Sequence, residues 1–265
     1  MKTPSNYLEI NRASWNARTA VHVDSDFYDM SGFLSGKSTL KSIELELLGD
    51  VGGKEILHLQ CHFGQDTLSL ARMGAKATGV DLSDAAIAKA KELNDTLGLD
   101  ANFVCCDLYS LPEMNDRQYD IVFTSYGTIG WLPDLDKWAS VVKHSLKPGG
   151  RFILVEFHPV VWMFDNDFTK VAYNYFNADP IIETETGTYA DKSAAIEQEY
   201  ITWNHPLSDV FTALRNQGLH IETLREYDYS PYDCFSGTKN IGDSQYIIEK
   251  LGNRIPMTYA IVASK

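Results

Sequence analysis

From residue 55 onward the chain alternates short apolar runs with longer amphipathic stretches, a pattern that predicts an open α/β sheet. An apolar run at 56–59 ends in a loop containing Gly64, and residues 67–73 then carry apolar positions at helical spacing. Gly74 closes that helix, and 75–80 reads as the next strand. Ser83 is placed to cap a helix over 84–97, in which Ala86, Ile87, Ala90 and Leu93 share one face and Gly98 marks the end. Strands follow at 101–105 and 120–125. A helix at 135–146 is stopped by the Lys-Pro-Gly-Gly at 147–150, and a strand occupies 151–157. Strands alternating with helices imply a mostly parallel sheet with right-handed crossovers.

The rhythm breaks at 158–203. This aromatic-rich stretch holds two alternating segments around Gly187 and predicts an inserted β-hairpin. A helix at 206–217 and strands at 220–227 and 257–263 complete the pattern. No strong helix joins the last two strands, so they read as an antiparallel pair at the sheet edge. The first 50 residues hold two helical patches, 7–20 and 39–48, around an aromatic segment read as a folded loop. The organisation expected is an N-terminal helical cover over 1–50 and a main α/β domain over 51–265 with an insertion at 158–203.

Composition narrows the function. With 44% apolar residues, the 265-residue chain can bury a sizeable core without metals or disulfides. No stretch approaches the roughly 18 uncharged apolar residues that span a bilayer, and the N-terminus lacks the apolar run of a secretory signal. A cytoplasmic protein with no membrane partner is the expectation. Lys and Arg number 23 against 36 acidic residues, a net charge of −13 with no basic run. Nucleic acid is therefore an unlikely partner, because its phosphates are held mainly by cations. The four cysteines contain no CxxC pair and read as reduced. His58, Cys61 and His62 crowd one turn without a matching cluster, so no metal site is expected.

Ligands of open parallel sheets bind beyond the carboxyl ends of the strands, and each candidate residue lies at such an end. The first turn, His-Leu-Gln-Cys-His-Phe-Gly, carries Gln60, Cys61, His62 and Gly64. Gly64 permits close backbone approach to a ligand, and the following helix offers its N-terminal amides. Asp81 ends the next strand, where a carboxylate accepts both hydroxyls of a ribose. Asp107 and Leu108 follow the third strand. Their carboxylate and apolar surface suit the amine and face of adenine, although an Asp there also makes an ordinary turn. Ser125 and Tyr126, before Gly127, end the fourth strand, either keeping a crevice open or simply terminating it.

In order and spacing these segments resemble the class I S-adenosylmethionine-dependent methyltransferases, of a small-molecule type with an HLQCHFG loop variant. The resemblance covers about 55–157 through ILHLQCHFG, VDLS, CCDLYSLP, YDIVFTS and LKPGGRFILVE. It implies a Rossmann-like, doubly wound seven-stranded sheet, mostly parallel with the last strand antiparallel, plus the hairpin as a lid. It implies S-adenosylmethionine as cofactor, with Gln60, Cys61, His62 and Gly64 on its methionine side. Asp81 and Leu82 would lie at the ribose, Asp107 and Leu108 at adenine, and Ser125 and Tyr126 near the reactive end. Three positions depart from the family. His58 stands where an acidic residue is usual, and Gln60 and His62 stand where the loop usually has glycines.

The expected activity is in-line methyl transfer to a small-molecule acceptor, with orientation supplying much of the rate. A base would assist an acidic acceptor. The candidates are His158 and Glu156 at the fifth strand's end, with His22 and His205 behind them. Arg18 is placed to pair with the cofactor's carboxylate. Aromatics from the first 50 residues and from the insertion would cover the site. The alternatives are an NAD-dependent oxidoreductase, which the glycine-poor loop fits badly, and a non-catalytic S-adenosylmethionine-binding module. Oligomeric state is not legible.

Overall fold

A computed structural model describes residues 3–176 and 179–265. Helices α1 (Tyr7–Asp24), α2 (Met30–Leu34) and α3 (Ser42–Leu48) precede the first strand, β1 (Glu55–Leu59). Then come α4 (Gln65–Arg72), β2 (Lys76–Asp81), α5 (Asp84–Leu97), β3 (Asn102–Cys105), the short α6 (Leu111–Met114), β4 (Tyr119–Ser125), α7 (Leu135–Ser145) and β5 (Leu146–Phe157). The second half holds β6 (Ile181–Thr186), β7 (Glu197–Thr202), α8 (Leu207–Asn216), β8 (His220–Tyr227), β9 (Thr238–Gly242), β10 (Gln245–Ile248) and β11 (Thr258–Ser264).

Seven strands form one sheet in the order β3-β2-β1-β4-β5-β11-β8. Neighbours from β3 to β5 pair parallel, and β11 pairs antiparallel with both β5 and β8. The expected sheet is thus present with its last strand antiparallel, and β11 sits one place inside the edge, between β5 and β8. Chain reversal occurs between β1 and β4, where the strand order changes direction and a crevice opens at the carboxyl ends.

Alternation along the strands sorts side chains into two core layers. Leu57, Leu59, Val122, Phe152, Leu154 and Ile261 face one side. There they meet Trp138 and Val142 of α7 and Val210 and Leu214 of α8. Ile56, Ile121, Phe123, Ile153, Val155 and Val262 face the other side, against Ile43, Leu47 and Leu48 of α3. Burial on both faces explains why the central strands read as continuous apolar runs. It also makes α3 part of that core layer.

Local chemistry sets the element ends. The Ser83 hydroxyl accepts from the Ala86 N–H at 3.0 Å, and Gly98 closes α5 in the left-handed region at φ 61°. Ala86, Ile87, Ala90 and Leu93 are its buried face, as the spacing predicts. The insertion contains the expected antiparallel hairpin, β6 with β7, as a separate two-stranded sheet. A second hairpin, β9 with β10, occupies the connection between β8 and β11, where no structure is expected from the pattern. No helix among the described residues is long and apolar enough to cross a membrane.

Candidate active site

The turn after β1 takes a glycine-like backbone path without the glycines. Gln60 has φ 54° and His62 φ 52°, and Gly64 follows at 81°. All three occupy the left-handed region, uncommon for non-glycine residues and costly for side chains of this size. The Cys61 N–H donates to the Val80 carbonyl at 2.9 Å, tying the turn to β2, and the Gly64 N–H donates to the Cys61 carbonyl at 2.9 Å. A Cβ on Gly64 would fall 2.7 Å from the Phe103 ring and 2.9 Å from Ala90, so glycine is needed there for both conformation and space. Gln60 donates through Nε2 to the Thr128 carbonyl at 2.7 Å. Its Oε1 and the Nε2 of His62 are buried with no hydrogen-bond partner among the described residues. Such atoms are seldom left unmatched in a working protein.

Asp81 stands at the tip of β2. Its Oδ2 accepts from the His62 N–H and its Oδ1 from the Ser83 N–H, both at 2.8 Å. Each oxygen keeps capacity for a further donor. Burial pushes this carboxyl up to about 6 against the pull of the backbone N–H groups. Burial likewise raises Asp107. His58, fully packed against Phe123 and bonded through Nδ1 to the Thr67 hydroxyl at 2.8 Å, is lowered to about 4 by burial. The position usual for a carboxylate is thus held by a neutral imidazole.

Two cavities lie over these strand tips. The smaller, of about 70 Å³, is lined by Asp81, Leu82, Asp107 and Leu108, with Tyr7, Leu8 and Asn11 of α1 across from them. The larger, of about 720 Å³, is lined by Arg18, Cys61, Gly64, Ser125 and Tyr126 together with many aromatic side chains. Trp15, Gln60, His62 and Trp131 border both. The residues expected at a nucleoside fall on one side of this wall, and those expected at the reactive end on the other.

The base candidates are each engaged by protein groups around them. His158 does not line the larger cavity. Its Nδ1 accepts from the Val160 N–H at 3.2 Å, which leaves Nε2 to donate to Glu226 at 3.0 Å. Both nitrogens are committed away from the crevice. Glu156 does line the cavity, but its oxygens accept from the N–H groups of Gly127, Thr128, Ile129 and Phe157 and from the Thr128 hydroxyl. With its lone pairs so occupied, Glu156 holds the loop after β4 in place and has little capacity for an acceptor's proton. His205 bonds the Leu132 carbonyl through Nε2 at 2.8 Å. His22 is fully buried within ring-contact distance of Trp15, Tyr28, His62 and Tyr189, and burial lowers it to about 3. Arg18 lines the cavity, yet its guanidinium already pairs with Glu185 of β6 at 2.9 Å. It lies 5.0–5.7 Å from the ring centroids of Trp15, Trp131 and Tyr200.

Several cavity residues had no signal in the pattern. Trp131, Tyr200 and Tyr232 belong to this group, as does Lys41, whose ammonium lies 4.6 Å from the Tyr232 ring centroid. Tyr232 and Phe235 sit in a connection with no periodicity, which gives no signal for them. Of the aromatics expected as cover, Trp15, Phe27, Tyr28, Trp162, Phe164, Tyr173 and Tyr189 line the cavity, whereas the Tyr175 hydroxyl accepts from the Leu207 N–H. No cluster of three or more metal-ligating side chains occurs among the described residues.

The sheet order, the crossovers and the strand-tip crevice define the fold of the class I S-adenosylmethionine-dependent methyltransferases, and residues 56–150 match the methyltransferase domain family. Solved structures with this fold include a methyltransferase of Listeria monocytogenes described as S-adenosylmethionine-dependent, at TM-score 0.58 and 20% identity over 89% of this chain and 99% of that one. The DhpI complex with S-adenosylhomocysteine superposes at TM-score 0.57 and 17% identity over 98% of each chain. Among curated relatives, an uncharacterized methyltransferase of Synechocystis sp. is 35% identical over 133 residues, 49% of this chain and 60% of that protein. A ubiquinone biosynthesis O-methyltransferase of Coxiella burnetii is 31% identical over 42% of this chain and 46% of its own length. A sterol 4-C-methyltransferase of Caenorhabditis elegans is 26% identical over 64% and 51%. The chain thus spans roughly half to three fifths of the length of these three curated relatives.

Proposed function

We propose that the chain transfers a methyl group from S-adenosylmethionine to a small-molecule acceptor held in the larger cavity. The observation that carries this reading is the shared wall. Trp15, Gln60, His62 and Trp131 separate a recess ending in two strand-tip carboxylates from an aromatic chamber. A ligand crossing that wall would have its nucleoside beside Asp81, Leu82, Asp107 and Leu108. Its other end would meet Cys61, Gly64, Ser125 and Tyr126. The donor set fits. The free capacity of the Asp81 carboxylate suits ribose hydroxyls, and the unpartnered Gln60 Oε1 and His62 Nε2 suit an ammonium group. Arg18 would meet the carboxylate by exchanging Glu185 for it. S-adenosylmethionine, when bound, supplies a methyl activated on a sulfonium.

The protein's own part is to bind, orient and keep water out. Aromatic faces at the wall favour a cationic sulfonium by about 0.5–2 kcal/mol, and the chamber volume is that of an ordinary small-molecule pocket. One relative is named as a methyltransferase of sterols and another as an O-methyltransferase of ubiquinone biosynthesis, both in keeping with a small-molecule acceptor. The smaller recess holds a few waters at most, so entry of a nucleoside requires α1 to move outward. A cytoplasmic location belongs to the same proposal and rests on four unpaired cysteines.

Calorimetric titration with S-adenosylhomocysteine and with NADH tests the reading. Saturable binding of the first and none of the second is expected; tight binding of NADH alone overturns it. Formation of S-adenosylhomocysteine from S-adenosylmethionine in an acceptor screen then separates an enzyme from a binding module without turnover.

A further inference from the structure

One corner of the larger cavity, next to the proposed reactive end of the cofactor, brings together several titratable groups around Tyr126. Tyr126, Lys41, Asp66 and Tyr232 line it. Behind Tyr126 lies Glu44 of α3, with none of its surface exposed. The Tyr126 hydroxyl donates to Glu44 Oε2 at 2.7 Å, and Glu44 Oε1 accepts from the Lys41 N–H at 3.2 Å. No cation pairs with this carboxylate among the described residues. A buried carboxyl without an ion pair costs stability, and here it is held by the Tyr126 hydroxyl and by the backbone N–H that begins α3. Burial, reinforced by Asp66, raises Glu44 to about 7 against the donation from Tyr126. Asp66 faces it from α4, Lys41 from the segment before α3 with Lys37 beyond, Tyr126 from the tip of β4, and Tyr229 and Tyr232 from the segment after β8.

Tyr126 itself sits at φ 46°, a left-handed conformation that a bulky side chain rarely adopts. Its N–H donates to the Val155 carbonyl at 2.7 Å, which holds the strained tip in place. Its ring lies 5.1 Å from Tyr232 and 5.5 Å from Phe157. Phe157, Trp162 and Phe235 continue the aromatic wall. The strain therefore places a phenol on the chamber wall with a titratable carboxyl at its back.

We propose that Tyr126 and Glu44 form the proton exit of the acceptor site, and that the acceptor is an aromatic hydroxyl compound whose O–H donates to the Tyr126 oxygen. This rests on the methyltransferase reading. The acceptor's O–H bond breaks as its proton passes to Tyr126, whose own proton passes to the Glu44 carboxylate. The electron pair left on the acceptor oxygen forms the new bond to the methyl, and the pair of the broken sulfur–methyl bond returns to sulfur. The net proton rests on Glu44 and leaves by the same route after the product. Tyr126 touches the substrate and is the catalytic residue; Glu44 acts through it and is a positioning residue. The Lys41 ammonium, which makes no ion pair among the described residues, faces the same corner and favours an oxyanion there.

The test uses 3-nitrophenol, whose ionisation is read from its visible absorbance, at pH 7, where the free probe is mostly neutral. Titrated into the wild-type chain with S-adenosylhomocysteine present, the bound probe is expected to show phenolate absorbance. That fraction is expected to fall at least fivefold in both Glu44→Gln and Tyr126→Phe, with thermal unfolding of each variant checked in parallel. Absence of binding, a neutral bound probe in the wild type, or equal ionisation in the variants overturns the proposal. Calorimetry with S-adenosylhomocysteine alone separates the two failures. If that ligand binds and the probe stays neutral, the proton route falls and the methyltransferase reading stands; if it does not bind, the methyltransferase reading falls.

Discussion

Gln60 and His62 show what a single residue contributes beyond its side chain. They hold a ligand-loop path that glycine would follow without strain, and they gain side-chain atoms aimed at the wall between the two cavities. Gly64 has no such freedom. Gly64→Ala is expected to destabilise the chain by about 2–5 kcal/mol, the sum of a left-handed penalty and overpacking against Phe103, measured by denaturant unfolding. Asp81 carries the opposite trade. Its folded pKa is raised, so at pH between its ordinary value and about 6 the native state holds a proton that the unfolded chain has lost. Stability from this group is greatest below that window and declines as pH rises through it. Asp81→Asn should therefore gain stability relative to the wild type as pH rises from 4 to 7, read from unfolding midpoints. At pH 7.5 Asp81→Ala should bind S-adenosylhomocysteine about 1–3 kcal/mol more weakly, read by calorimetry. The candidate strand-tip residues were legible because strand ends in an alternating pattern mark the crevice. Glu44 was not, because a carboxylate in the sequence Ser-Ile-Glu-Leu-Glu-Leu-Leu reads as the solvated face of a short helix.

Elements are joined across the crevice by contacts that no periodicity reveals. The Asn11 side chain of α1 donates to the Ile201 carbonyl at 2.8 Å and accepts from the Ile201 N–H at 2.9 Å, acting as a substitute strand partner for β7. Arg18 with Glu185, and the Tyr28 and Tyr189 hydroxyls, add two further ties between the N-terminal helices and the insertion. Asn11→Ala leaves two buried backbone groups unpaired and should cost about 2–4 kcal/mol, with faster proteolysis of the 181–202 hairpin as a second readout. Because α1 also closes the smaller recess, S-adenosylhomocysteine should change hydrogen exchange within 7–24 more than within the central strands. Identical exchange with and without it would contradict α1 as the moving wall. The centre of the sheet was readable because β1, β4 and β5 are buried on both faces. The β9–β10 hairpin was not, because β9 is exposed along most of its length and lacks a period of two. Its two-residue turn uses Asp243 and Ser244, both left-handed, in place of the Asn-Gly or Asp-Gly pair that usually signals such a reversal. The start of β5 was misplaced for a related reason. The Lys-Pro-Gly-Gly at 147–150 reads as a stop, yet Leu146 already pairs with Tyr119 across an irregular register.

The whole molecule assembles its two cavities, proposed above as nucleoside recess and acceptor chamber, from segments far apart in sequence. Three strand tips of the domain at 56–150 supply the recess and part of the wall. The N-terminal helix, the inserted hairpin and the segment after β8 supply the chamber. The chamber is the part that a family resemblance over residues 55–157 leaves blank, and it decides the acceptor. The most direct test is a crystal structure with S-adenosylhomocysteine bound. The account predicts the ribose hydroxyls on Asp81, adenine beside Asp107 and Leu108, and the sulfur past His62 facing the aromatic chamber. A ligand bound elsewhere, or one whose ribose makes no contact with Asp81, would contradict it.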